Sequence, residues 1–183
     1  MLSNEKGVPF MKDFLTLAAN RYSVRTFRPT HLPEEVIDRL LQAAHLAPTG
    51  CNFQPQRILV LNTDASMETL KSCTKCHFNA PTAMLVCYNR AECWTRKYDG
   101  AQSGIIDASI VATHIMLEAA ELGVGVTWVM HFDPVAMKAA YKIPSDVEPV
   151  ALLVMGYPAP DAQPLPLHSQ FRDLNEIVRY ESF

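Results

Sequence analysis

Two arginines and a serine near the start of the chain have side chains of the kind that bind an anion. Arg21 and Arg25 are four residues apart, and Ser23 lies between them. Each guanidinium is a planar fork of N–H donors that matches a phosphate or a carboxylate, and the serine hydroxyl adds one more donor. In a compact turn or a first helical turn, the three groups would converge on one anion. The same pattern also fits a solvated basic turn, so both interpretations stay open.

A second polar segment follows one helix later, at residues 47–56, where the chain reads Ala-Pro-Thr-Gly-Cys-Asn-Phe-Gln-Pro-Gln. Pro48, Gly50 and Pro55 favour turns and keep this stretch out of a regular helix. Asn52 and Gln54 each carry an amide that offers both donors and an acceptor. The segment is therefore predicted to be a loop whose backbone and side chains are free to contact a ligand.

Composition argues against several classes of protein. The 183 residues include 16 Lys and Arg against 19 Asp and Glu, a formal charge of −3 that does not favour a nucleic-acid surface. No apolar stretch reaches the roughly 18 residues of a membrane span, and the first residues lack the apolar run of a signal peptide. Five cysteines, an odd number, are more typical of reduced thiols than of a disulfide framework. We expect one cytoplasmic domain over residues 1–183.

The hydrophobic pattern predicts helices and strands that alternate only loosely. The predicted helices are residues 11–20, 34–47, 64–72, 104–122 and 134–141, and the predicted strands are residues 57–61, 83–88, 124–130 and 149–155. The helix at 104–122 is apolar on most sides, with a narrow polar stripe of Asp107, His114, Glu118 and Glu121. This pattern favours an α+β fold with a mixed central sheet flanked by helices.

The chain after Gly156 is expected to be an extended arm. Prolines at positions 158, 160, 164 and 166 exclude a regular helix there. Apolar residues return at Leu174, Ile177 and Val178, and they need a surface on which to pack. That surface is either the arm's own domain or a second copy of the chain, and composition leaves both open.

These segments together resemble the nitroreductase superfamily of FMN enzymes. Its members typically carry Arg-x-Ser-x-Arg or Lys after the first helix and Ala-Pro-Ser/Thr-x-x-Asn-x-Gln-Pro after the next, as this chain does at residues 21–25 and 47–55. Four further motifs follow in the family's order: Gly-Val-Gly-Val-Thr-Trp at 123–128, Phe-Asp-Pro at 132–134, Gly-Tyr-Pro at 156–158 and Leu-Asn-Glu-Ile-Val at 174–178. The resemblance covers nearly the whole chain.

The resemblance implies a noncovalent FMN site shared between two subunits. Arg21 and Ser23, with Tyr22 between them, would lie at the FMN phosphate. Arg25 would approach the pyrimidine side of the ring, where its charge favours the reduced, negatively charged flavin. A second set of residues would reach the flavin from the other subunit and so implies a homodimer: Pro48, Thr49, Gly50 and Asn52. The resemblance also implies that the extended C-terminal arm crosses to the dimer partner.

Two further parts of the site follow from the same resemblance. Trp128, Val129 and Met130 match the strand that passes the reactive edge of the flavin, where a backbone N–H hydrogen-bonds N5. Met130 is a departure, because many relatives carry Glu or Gly near this position, and its side chain fits a core or pocket-lining role. Arg172 is the candidate for a second phosphate ligand from the tail, with an exposed surface arginine as the alternative. Residues 169 and 170 are Ser and Gln, where the family has Lys or Arg.

The implied activity is an FMN-dependent oxidoreductase that takes hydride from NAD(P)H and reduces a nitroaromatic, a quinone or a similar acceptor in a ping-pong cycle. The flavin would supply the chemistry, so no side chain need act as an acid or a base, and no metal is implied. A reductive dehalogenase or a flavin-fragmenting enzyme would share these motifs. Residues 89–104, with Trp94, Arg96, Lys97 and Tyr98, would distinguish such an enzyme. An FMN-binding module without turnover is the other alternative.

Four other patterns carry weaker functional signals. Gly-Val-Gly at 123–125 follows a helix and lacks the third glycine of a dinucleotide fingerprint. Cys-Thr-Lys-Cys-His at 73–77 spells a haem attachment motif, but haem attachment normally requires export; a zinc or redox pair and incidental reduced thiols are the alternatives. Cys51 has no visible basic partner that would activate its thiol. His114 and Glu118 could hold a metal, although a packed polar stripe is the simpler interpretation.

Overall fold

The computed structural model of the chain describes residues 13–183, which form six helices and four strands. The helices are α1 (Phe14–Asn20), α2 (Glu34–His45), α3 (Asp64–Lys71), α4 (Gly104–Glu121), α5 (Pro134–Tyr141) and α6 (Leu174–Ile177). The strands are β1 (Gln56–Leu61), β2 (Thr82–Asn89), β3 (Gly125–Val129) and β4 (Val147–Gly156). Residues 11 and 12, which the sequence assigns to the first helix, lie outside the described residues. All nine predicted helices and strands occur, and the single-turn α6 was not predicted.

The four strands form one antiparallel sheet in the order β1-β2-β4-β3. Every residue of β2 is buried, because this strand has a neighbour on each side and helices over both faces. Among the described residues, the only parallel pairing is an isolated bridge between Ser23 and Val126 of β3. The α+β class is confirmed. The sequence predicts a mixed sheet; in the structure the four strands pair antiparallel, and this bridge adds the parallel pairing.

Helices cover both faces of the sheet. Met84 and Val86 of β2 point into a core that α2 and α4 close, whereas Leu85 and Cys87 point into a second core that α3 and α5 close. Successive side chains of a strand face opposite sides of the sheet, so one continuously apolar strand contributes to both cores.

Capping residues explain where the helices begin and end. α2 stops at His45, two residues earlier than predicted, because the residue before Pro48 is disfavoured in a helical conformation. α5 has the predicted limits, since the Asp133 carboxylate accepts the first free N–H groups and Lys142 closes the helix with a φ of 54°. α4 is followed by Gly123 at a φ of 72°, the left-handed position that commonly ends a helix.

α4 is less enclosed than the sequence predicts. One side of it packs on α2 and the sheet, but Ile105 and Ile106 near its start are about three-fifths exposed. Leu46 after α2 and Phe14 at the start of α1 are also exposed. Within residues 13–183, no helix combines the length and apolar character needed to cross a bilayer.

The arm after β4 first follows its own domain. Phe27 forms a bridge with Pro158, and the Tyr22 hydroxyl donates to the carbonyl oxygen of Ala162 at 3.3 Å. The His168 ring then packs edge-on against Tyr22 and contacts the end of α1. Residues 169–183 are exposed, including the apolar side chains of α6. The first half of the arm, as far as His168, therefore packs on its own domain, whereas residues 169–183 do not.

Candidate functional site

The candidate anion-binding residues lie in an extended segment rather than in a compact turn. α1 ends one residue before Arg21, whose backbone is already extended. The N–H of Val24 donates to the carbonyl oxygen of Val126 at 3.2 Å, and the Thr127 hydroxyl donates to the carbonyl oxygen of Val24 at 2.5 Å. These bonds, with the bridge at Ser23, fix the segment along the edge strand β3.

A glycine allows this close approach. A Cβ atom on Gly125 would lie 2.6 Å from Cγ2 of Val24, a distance that side chains do not tolerate. Gly125 therefore lets the segment pack on β3, and Gly123 ends α4. The Gly-Val-Gly sequence has these two structural roles, in agreement with its rejection as a dinucleotide fingerprint.

Arg21 lines a groove of about 160 Å³ between the extended segment and the last turns of α4. Tyr22, Met116, Ala120 and Gly123 form other parts of its wall. The Arg21 guanidinium makes no hydrogen bond or ion pair with residues 13–183. A guanidinium with all its donors available beside a groove can bind an anion bidentately.

Arg25 does not join Arg21 at this groove. Its side chain is exposed, its Nη1 donates to the carbonyl oxygen of Ser23 at 3.1 Å, and its Cζ lies 5.9 Å from the centre of the Phe78 ring. The expectation that both arginines converge in one turn is therefore wrong, because the backbone between them is extended. The structure gives the two positive charges separate positions.

The loop at residues 48–54 has an unusual backbone. Cys51, Asn52 and Gln54 have φ values of 47°, 57° and 52°, in the left-handed region. For residues with a side chain this region costs on the order of 1–3 kcal/mol each, and it is common at ligand-binding sites. The Thr49 hydroxyl accepts the N–H of Gln54 at 3.1 Å and so helps to hold the turn. The side chains of Pro48 and Asn52 are exposed.

A buried carboxylate ties this loop to α4. Asp107 is 2% exposed; its Oδ1 accepts the N–H of Gly50 at 2.8 Å, and its Oδ2 accepts the Ser103 hydroxyl at 2.7 Å. Sequence reasoning placed Asp107 on a polar stripe and missed this role. The available signal was an acidic residue inside the most apolar helix of the chain.

The remaining candidates lie at the end of β3 and in the arm. Trp128 is half-buried and Val129 is buried, and they lie opposite Leu153 and Leu152 of β4. Met130 follows the strand with a side chain that is 65% exposed, so it does not belong to the core. Arg172 is exposed and makes no hydrogen bond or ion pair with the described residues.

The two halves of the candidate site lie at opposite ends of α4. Gly50 is bonded to Asp107 in the first turn, whereas the Arg21 groove includes Ala120 in the last. Asp107 and Ala120 are 13 residues apart in α4, and at a rise of 1.5 Å per residue these two anchor points are separated by about 20 Å. One chain therefore does not bring the Arg21 groove and the 48–54 loop together.

The cysteines and histidines form no metal site in the described part of the chain. All five cysteines are free, and no group of three or more His, Cys, Asp or Glu side chains could hold a metal ion there. In the haem-like motif, His77 Nδ1 accepts the N–H of Asn79, and Cys73 is buried. Glu118, the proposed partner of His114, instead forms an ion pair with Arg39 at 2.5 Å.

Burial makes two of the thiols poor nucleophiles. Removal from water raises the pKa of Cys87 to about 12. The pKa of Cys93 is also raised, first by burial and then by the nearby negative charge of Asp107. Cys51 in the 48–54 loop is the exposed thiol among the five.

Comparison with known proteins identifies the family. Residues 18–82 and 72–157 match the model of the nitroreductase family. A nitroreductase family protein from Clostridium difficile 630 superimposes with a TM-score of 0.88 and 37% identity over 93% of this chain and 99% of that one. A protein from Desulfovibrio desulfuricans, solved in complex with FMN, gives a TM-score of 0.78 at 24% identity over 95% and 99%.

Two relatives with other names are about equally similar in sequence. The NADH dehydrogenase of Thermus thermophilus is 27% identical over 184 residues, which cover 83% of this chain and 90% of the relative. The 5,6-dimethylbenzimidazole synthase of Rhodospirillum rubrum is 28% identical over 192 residues, or 87% and 90%. The matched segments include the extended segment, the 48–54 loop, α4 and β3, and with them the fold, so the chain belongs to the nitroreductase family.

Proposed function

We propose that this chain is an FMN-dependent oxidoreductase that takes hydride from NAD(P)H and reduces a nitroaromatic, a quinone or a similar acceptor in a ping-pong cycle. Membership of the nitroreductase family, a structural neighbour solved with FMN and a relative named NADH dehydrogenase support it. The observation that carries the proposal is the Arg21 guanidinium, which lines a groove and makes no polar contact with the described residues.

The residues present fit FMN. Arg21 and Ser23 would hold its phosphate, because Arg21 and the start of β3 line the groove and Ser23 is bridged to Val126 of that strand. Tyr22 would form part of the wall of this groove, because the arm holds its hydroxyl and its ring in place. Bound FMN would supply hydride transfer, and the protein would supply binding and electrostatics.

Arg25 would act through its charge. Among the described residues it donates to the carbonyl oxygen of Ser23 alone, which leaves other N–H donors, and it does not line the Arg21 groove. A fixed positive charge beside the flavin would favour the reduced form. A backbone N–H within the segment of Trp128, Val129 and Met130 would contact the reactive edge of the ring, and no side chain need act as an acid or a base. We propose no metal in this site.

The second half of the site would come from a second copy of the chain. Gly50 is anchored to α4 about 20 Å along the helix from the Arg21 groove. A homodimer would therefore bring one copy's loop, with Pro48, Thr49, Gly50 and Asn52, to the other copy's groove. The exposed apolar side chains of Ile105 and Ile106 give α4 a surface that such an interface would bury. The exposed tail would bring Arg172 to the phosphate.

The remaining attributes follow the same proposal. Residues 1–183 would form one FMN-binding domain, and the five free cysteines favour a reducing, cytoplasmic location. Neither nucleic acid nor membrane is a proposed partner.

Turnover tests the proposal. The purified protein is mixed with NADH or NADPH and either a quinone or a nitroaromatic, and oxidation of the donor is followed against a reaction without acceptor. We expect sustained oxidation that depends on both substrates. Bound FMN without turnover would instead support the non-catalytic FMN-binding module.

The relative named 5,6-dimethylbenzimidazole synthase favours a second candidate, a specialised enzyme of the same fold. The hairpin at residues 94–103 is where such enzymes would differ, because it packs on the 48–54 loop through Trp94 and Ser103. Formation of 5,6-dimethylbenzimidazole from FMN that is added together with NADH or NADPH and oxygen, detected by mass spectrometry, would favour that activity. Reductive dehalogenation would be tested with a halogenated aromatic in the same way.

A further inference from the structure

Among residues 13–183, Asp107 is the only buried side chain of the types Asp, Glu, Lys, Arg and His. A carboxylate out of water needs strong compensating contacts. Its two oxygens have them, at 2.8 Å from the N–H of Gly50 and at 2.7 Å from the Ser103 hydroxyl. Its place in the first turn of α4 adds the favourable end of the helix dipole.

The Gly50 contact acts on the loop whose backbone is left-handed at three residues. There is little free space around Gly50, because a Cβ atom at this position would lie 3.1 Å from the Ser103 Oγ and 3.2 Å from the Trp94 Cβ. A charge-assisted bond to a rigid helix therefore fixes Gly50, which directly precedes the first left-handed residue of the loop. Without it, the loop would lose this hydrogen bond to α4.

The Ser103 contact acts on a different segment. The N–H of Ser103 donates to the carbonyl oxygen of Trp94 at 2.9 Å, and residues 95 and 102 form an antiparallel bridge, so residues 94–103 make a hairpin. An ion pair between Arg96 and Asp99 closes its tip, where Tyr98 is 97% exposed. One carboxylate thus joins the 48–54 loop to this hairpin.

We propose that Asp107 is a positioning residue of the FMN site, which holds the 48–54 loop in its flavin-binding conformation and couples that loop to the 94–103 hairpin. The inference rests on the proposed function, because the loop's role toward FMN belongs to it. Asp107 acts through Gly50 and Ser103 and does not touch the flavin.

The test compares three variants of the full-length protein by FMN titration. Asp107→Ala removes both bonds, and we expect FMN to bind at least about tenfold more weakly. Asp107→Asn should stay within about threefold of the parent, because its amide can still accept from Gly50 and donate to the Ser103 oxygen. Leu70→Ala, in the core on the other face of the sheet, should lower Tm without changing FMN affinity.

Hydrogen exchange gives a readout that does not depend on flavin. Backbone amides of residues 48–54 and 94–103 should exchange faster in Asp107→Ala than in Leu70→Ala. If Asp107→Ala does not fold, Ser103→Ala serves instead and should speed exchange mainly in the hairpin. Unchanged exchange, or equal FMN losses in Asp107→Ala and Leu70→Ala, would overturn the inference. If the parent protein binds no FMN, the proposed function fails, while exchange still decides whether Asp107 holds the loop.

Discussion

Arg21 and Arg25 have the same side chain but different surroundings. Arg21 lines the groove and has no polar side-chain contact with residues 13–183, whereas Arg25 bonds back to Ser23 and lies near Phe78. The surroundings of Arg21 are suitable for binding an anion. The position of Arg25 is suitable for a positive charge that acts on the flavin ring. The family resemblance implies a division of roles between the two residues, and the proposed function keeps it because their surroundings differ in this way.

Arg21→Ala should weaken FMN binding by about 1.5–3 kcal/mol, or roughly 10- to 150-fold, because a charge-assisted bond to the phosphate is lost. Cys51→Ala is the comparison, since this exposed side chain lies in the loop and is not proposed to bind. The measurement is a fluorescence titration of FMN with each protein. Equal losses in the two variants would mean that the loop, and not the groove, dominates affinity.

Arg25→Gln should keep most of the FMN but lower the flavin's reduction potential. A unit charge at ~4 Å and an effective dielectric near 20 contributes about 4 kcal/mol before screening. Because Arg25 is exposed, we expect about a third of this, which is roughly 30 mV for two electrons. Arg28→Gln is the control, since Arg28 donates to the arm at Pro158. Loss of FMN with an unchanged potential would make Arg25 a phosphate ligand.

At the scale of elements, the contact between the extended segment and β3 builds the groove. It depends on Gly125, opposite Val24. Gly125→Ala should destabilise the protein by about 1–3 kcal/mol and weaken FMN binding, because the new methyl group would push the segment away. Denaturant unfolding measures the first effect. Val24→Ala in the same chain should restore part of the stability, and a Gly125→Ala protein as stable as the parent would disprove this packing.

The hydrophobic pattern was sufficient to predict the four strands and every helix except the single-turn α6, because burial on a sheet or a helix face is a local, periodic property. It could not predict that residues 21–25 are extended, since that conformation comes from β3, about a hundred residues later in the chain. Nor could it predict the bond between Asp107 and Gly50, which are 57 residues apart. The site's residue types were readable, but their positions depend on long-range contacts.

At the scale of the whole molecule, the site is proposed to need two chains. The Arg21 groove and the 48–54 loop are held at opposite ends of α4, and that helix exposes apolar side chains near its start. The arm covers its own domain only as far as His168. A second copy would explain both the exposed helix face and the exposed tail.

Ile106→Glu should convert the protein from dimer to monomer and weaken FMN binding together, because it places a charge in the proposed interface. Val135→Glu is the matched control: it is also an exposed apolar residue, 76% against 63%, but it lies on α5 at the other face of the sheet. Sedimentation equilibrium gives the mass, and FMN titration gives the affinity. A parent protein that is monomeric and still binds FMN fully would refute the shared site.

The most direct measurement is the absorbance spectrum of the purified protein, without oxygen, before and after addition of NADH or NADPH. We expect the yellow spectrum of a flavin, released on denaturation with the mass of FMN, and we expect at least one of the two donors to bleach it. A protein that binds no FMN even after reconstitution, or whose bound flavin neither donor reduces, would contradict the proposed function.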